Sequence, residues 1–122
     1  MFKGTLNIEA VAGEDAYILM SPITYVTNDG DDVVIPKGFK TNFASVPNVA
    51  KVYVDDNSHF IRLPSVAHDF LYSKESAYLG FTRKQADFVL LTAMQEQGMR
   101  PSKALLIYYI LRVFGGRNYE KR

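Results

Sequence analysis

Residues 65–74 read SVAHDFLYSK, and they mark the place where the periodicity of the chain changes. Before them, short apolar stretches are separated by turn residues, as in strands and hairpins; after them, apolar side chains recur every three or four residues, as on helices. GTLNIEAV (4–11) alternates, AYILM (16–20) is short and apolar, and Gly13, Glu14 and Asp15 between them suit a hairpin turn. ITYVT (23–27) and DVVIP (32–36) flank Asn28, Asp29 and Gly30, which predicts a type I′ turn because these residue types accept positive φ. The acidic run NDGDD (28–32) lacks the spacing of a calcium loop and reads as a plain turn.

Downstream, Pro64 and Ser65 are expected to start a helix that runs to Tyr72 or Ser73. Thr82 with Gln85 forms a capping box for a second helix, which Gly98 closes. Pro101 starts a third, ended by Gly115 and Gly116. Strands first and helices after predict an α+β fold, with N-terminal antiparallel hairpins packed on a C-terminal bundle of about three helices. One domain is expected: strands over 1–40, an irregular loop over 41–63, helices over 64–116 and a basic tail over 117–122.

Composition sets the outer bounds. The chain has 122 residues, 48% hydrophobic and 22% charged, enough for one real core. A formal charge of +1 argues against nucleic-acid binding driven by bulk charge, so no nucleic-acid partner is expected. Without cysteine, neither a disulfide framework nor a thiolate metal site can form. The N-terminus has no apolar signal-peptide core, and the longest apolar run, 104–114, is broken by Arg112 and too short for a bilayer. A cytosolic life fits.

The chemistry concentrates on two helices. His68 and Tyr72 lie one turn apart on one face, while Asp69 points about 100° away. On the second helix Ala86, Leu90, Ala93 and Met94 form an apolar stripe, and Asp87 falls inside it. A carboxylate facing a core needs a partner, and the His68 imidazole and Tyr72 hydroxyl are the nearest candidates. Such a pair would leave the other imidazole nitrogen to act as a general base. Asp69 would be placed to hold a hard cation such as Ca²⁺. The loop GFKTNFASVPN (38–48) offers Thr41, Asn42 and Ser45 to complete the site with carbonyl ligands or N–H donors. Ser45 lacks a nucleophile elbow, and the spacing of His59 from His68 carries no metal signature. The plainer alternative is that His68, Asp87 and Tyr72 are a buried polar network with no chemistry. The third helix, SKALLIYYILRVF (102–114), is apolar nearly all round, which predicts a central core helix. The alternative is a membrane-facing or partner-facing element beside the basic end RNYEKR (117–122).

Two resemblances rest on these residues. IPKGFKTNFASVP, then VAHDFLYS, then TRKQADFVLLTAMQEQGM resembles a phage and prophage family known only as domain-of-unknown-function family 1353. Its members read Pro-x-Gly-Phe-x-Thr-Asp-x-Ala-Ser-x-Pro, His-Asp-x-Leu-Tyr and Ala-Asp, and Asn42 stands here where the family usually has Asp. The resemblance implies a viral origin, synthesis in the host cytoplasm and a gene of the kind that often sits among tail or lysis genes, and it supplies no activity. If that acid binds a cation, Asn42 implies weaker binding.

The second is local. HDFLY and RKQADFVLLTAM are similar to the core of phospholipase A₂, especially bacterial forms, which read His-Asp-x-x-Tyr and later Arg-x-x-Asp. That similarity implies His68 as base, Asp69 and the loop at Asn42 as Ca²⁺ ligands, Asp87 as the residue orienting His68, and Tyr72 as its brace. Those enzymes carry disulfides and a glycine-rich calcium loop, and this chain has neither. Three expectations therefore stand together: a Ca²⁺-dependent lipid ester hydrolase, a non-catalytic virion or tail component, and a host-factor-binding protein.

Overall fold

The structure is a computed structural model, and it describes residues 1–14, 16–41 and 59–119. Alternation builds its first part. On β4 (Ile23–Val26) and β5 (Asp32–Ile35), Ile23, Tyr25, Val33 and Ile35 are buried while Val34, between the last two, is 45% exposed. The antiparallel register sets Ile23 opposite Ile35 and Tyr25 opposite Val33, so both strands turn one apolar face inward. β1 (Phe2–Lys3) pairs with β4, giving a sheet ordered β1-β4-β5. β2 (Ile8–Ala10), β3 (Tyr17–Leu19) and β6 (Lys40–Thr41) form a second antiparallel sheet ordered β2-β3-β6.

The turn between β4 and β5 departs from the expected two-residue type I′ form. The Gly30 N–H donates to the Thr27 carbonyl at 3.0 Å, and the Thr27 N–H donates to the Asp31 carbonyl at 2.9 Å. Three residues therefore make the loop, with Gly30 supplying a left-handed φ of 86°. This longer loop also satisfies the twist of the two strands.

Three helices follow: α1 (His59–Tyr72), α2 (Arg83–Glu96) and α3 (Pro101–Phe114). α1 begins before Pro64, the expected first residue, so 59–63 is helical rather than irregular. Pro64 removes one hydrogen bond near the helix start, while the added turn buries Ile61 against Leu90, Met94 and their neighbours. α2 has the expected capping box, with Thr82 Oγ1 accepting from the Gln85 N–H at 3.1 Å and Gln85 Oε1 accepting from the Thr82 N–H at 2.8 Å. A 3₁₀ turn (Lys74–Leu79) joins α1 to α2. Another (Gly115–Asn118) takes up the first residues of the expected basic tail, and the Tyr119 hydroxyl then donates to the Phe81 carbonyl.

α2 is the central helix. Its Ala86, Val89 and Ala93 join the sheet residues and α1 in one apolar cluster. Its Leu90, Leu91 and Met94 join Ala104, Ile107 and Leu111 of α3 in a second. α3 is thus not the core helix its composition predicts. It buries only those three residues, and its far side remains at the surface. Among the described residues, no helix is long and apolar enough to cross a membrane.

Candidate active site

An ionised carboxylate enclosed by α1, α2 and α3 is costly unless every lone pair finds a donor. Asp87 is fully buried on the inner face of α2, and three side chains meet that demand. His68 Nε2, from α1, lies 2.9 Å from Asp87 Oδ1. The Tyr72 hydroxyl, one turn further along α1, donates to the same oxygen. Arg112, from α3, donates through a guanidinium nitrogen to Asp87 Oδ2 at 2.6 Å. One acid therefore holds three helices together.

Arg83 completes the network from the side. It sits one turn before Asp87 on α2, and its Nε is 3.9 Å from Asp87 Oδ2 and donates to the Tyr72 hydroxyl at 3.3 Å. Its terminal nitrogen donates to the carbonyls of Leu111 (2.8 Å) and Arg112 (2.9 Å) in the last turn of α3. The Leu111 carbonyl also accepts from the Gly115 N–H, and a cation at this end of α3 complements the helix dipole. Gly115 lets the end of α3 close on α1. A Cβ there would lie 2.8 Å from the Leu111 side chain and 3.4 Å from the Tyr72 hydroxyl.

The titration of these groups follows from the packing. Burial alone would push the Asp87 carboxyl up, but hydrogen bonds from His68, Tyr72 and Arg112 outweigh it and hold the carboxyl below its usual range. Burial and the neighbouring Asp87 carboxylate push the Tyr72 phenol well up, so it stays a donor. Arg112 is raised by its bond to Asp87.

An ionised Asp87 can only accept, so His68 donates through Nε2–H, and in the neutral ring Nδ1 carries a bare lone pair. His68 is fully buried, and Nδ1 has no hydrogen-bond partner among the described residues. Chemically, this is an oriented base with one unsatisfied acceptor.

The structure thus brings together His68, Asp87 and Tyr72. It keeps Asp69 for a different contact: Thr41, buried on β6, donates its hydroxyl to Asp69 Oδ2 and ties the second sheet to α1. Asn42 and Ser45 lie outside the described residues. Ca²⁺ ordinarily takes six to eight oxygen ligands. No group of three or more His, Cys, Asp or Glu able to hold a metal occurs among the described residues.

Two members escaped the sequence. The arginine of the phospholipase-like pattern is Arg83, four residues before Asp87 rather than three, and it holds Tyr72 and the end of α3. Arg112 had a signal: it is the one charge in the apolar run 104–114, and a buried acid elsewhere needed a cation.

With the site laid out, comparison with known proteins adds one match. The model of a family described as "Protein of unknown function (DUF1353)" matches residues 17–111, which takes in both sheets in part, α1, α2 and most of α3. No curated protein and no solved structure matches the chain.

Proposed function

The chain belongs to the DUF1353 family of proteins of unknown function, and we propose that it is a phage-encoded hydrolase of lipid esters, with His68 as general base. The single observation carrying this reading is the imidazole itself, gripped at Nε2 by Asp87 and left without a partner at Nδ1 among the described residues. In the proposed step Nδ1 takes a proton from water as the water oxygen bonds to the ester carbonyl carbon. The proton then passes to the leaving alkoxide, releasing an alcohol and a free acid. Asp87 keeps the ring in the required tautomer and offsets the imidazolium charge, while Tyr72 and Arg112 hold the carboxylate still. Lipid as substrate class comes from the local likeness to phospholipase A₂, and a place among tail or lysis proteins from the family's phage setting.

A second reading has its own support. His68 has no exposed surface, and Arg83 and Arg112 both lie beside Asp87, so the cluster is complete as a buried, charge-paired tie between helices. On that reading the cluster is a clamp in a virion or assembly component. His68→Gln separates the two, because a glutamine amide can still donate to Asp87 but offers no basic nitrogen. If the hydrolase reading holds, fatty acid release from phospholipid vesicles falls about 10²–10⁴-fold in this variant with little change in melting temperature. If the wild-type protein releases none, with Ca²⁺ or without it, the clamp reading stands.

A further inference from the structure

The outward side of α3 is the feature that neither the fold nor the site uses. Its buried residues, Ala104, Ile107 and Leu111, lie along one line of the helix. At about 100° per residue, the opposite line is occupied by Leu105, Leu106, Tyr109 and Val113. These are 39%, 42%, 62% and 72% exposed. Ser102 is the other exposed residue on that line, and no charge interrupts it. Such a stripe on a surface helix is the wrong way round for a free domain.

Charge identifies what would cover it. From 97 to 119 the chain has four basic residues, Arg100, Lys103, Arg112 and Arg117, and no acidic one. Arg112 is committed to Asp87. Arg100 and Lys103 are exposed at the start of α3, where with Phe60 and Leu106 they line an open cleft. Phe60 is itself 41% exposed. Cations bordering an apolar stripe that contains a tyrosine suit the boundary between lipid headgroups and acyl chains.

We infer that the outer face of α3, with the Arg100–Lys103 cleft at its head, docks on an anionic phospholipid surface. The helix lies along the interface: Leu105, Leu106, Tyr109 and Val113 enter the acyl boundary while Arg100 and Lys103 meet lipid phosphates. This binding is separate from any chemistry at His68, because the stripe points away from the buried side of α3.

The test is co-sedimentation of the whole protein with vesicles of phosphatidylglycerol and phosphatidylcholine in equal parts, beside pure phosphatidylcholine vesicles. The mixed vesicles are expected to bind the protein, and added salt to weaken that binding. Leu106→Glu with Val113→Glu should lower the partition coefficient at least about tenfold. Arg100→Ala with Lys103→Ala should cost about fivefold per cation, on the anionic vesicles only. Circular dichroism and the melting temperature report whether these surface variants stay folded, and His68→Gln should bind as the wild type does. Absence of binding to the mixed vesicles at low salt overturns the inference. So does binding that survives the paired glutamates, or a dimer in sedimentation that those glutamates abolish, which would assign the stripe to a second copy.

Discussion

Tyr25 and Tyr72 are both buried, and each donates its hydroxyl to a carboxylate on α2. Their surroundings differ. The acceptor of Tyr25 is Glu96, in the last turn of α2, at 2.5 Å. Its side chain remains a third exposed, and its other oxygen lies 2.8 Å from the Met1 ammonium. The acceptor of Tyr72 is Asp87, with no exposed surface, and it takes His68 and Arg112 as well, with Arg83 close by. Water can solvate the first carboxylate, and one tyrosine with the exposed Met1 ammonium is enough. The second has only protein around it, and its charge must be answered by side chains drawn from three helices. Depth in the core therefore decides how many residues an acid recruits.

Removing the deep acid should have the largest effect. Asp87→Ala leaves Arg112, Arg83 and His68 around an empty site, and a loss of about 3–5 kcal/mol in urea unfolding is expected. Acid is the reversible form of the same experiment. The Asp87 carboxyl titrates below its usual range in the fold, so its stabilisation is complete above the unfolded value of about 3.9 and is lost as pH falls through the depressed folded value. Wild type should accordingly lose stability more steeply than Asp87→Asn between about pH 4 and pH 2, measured by thermal melts.

The tyrosines sharpen the contrast. Tyr72→Phe takes one donor from Asp87 and one acceptor from Arg83, for an expected loss of about 1–3 kcal/mol. Tyr25→Phe, beside a carboxylate that water can reach, should cost only about 0.5–1.5 kcal/mol. Glu96→Gln should be the mildest, within about 1 kcal/mol. Equal losses for Asp87→Ala and Glu96→Gln would erase the distinction.

How much of this was legible in the sequence depended on distance along the chain. The capping box at Thr82 and Gln85 involves residues three apart, and the strand alternation of β4 and β5 is local as well. Asp87 stood out because it sits inside an apolar stripe, and the demand for a partner pointed back to His68 and Tyr72 on the preceding helix. Arg112, 25 residues from Asp87, was visible only as an interruption in an apolar run. Pro64 imitates a helix beginning, whereas α1 starts at His59, and the burial of Ile61 that favours the extra turn is a tertiary contact.

The sequence by itself determined the order of strands and helices, the main caps and the His68–Asp87–Tyr72 candidates, because each follows from periodicity or from a polar group at an apolar position. Only the tertiary structure decided which helix is central and where the two arginines go. It turned the apolar stripe of α3 outward, although composition placed that helix in the core. Hydrophobicity states a preference for burial, whereas the packing of α1 and α2 fixes how much apolar surface remains for α3 to cover.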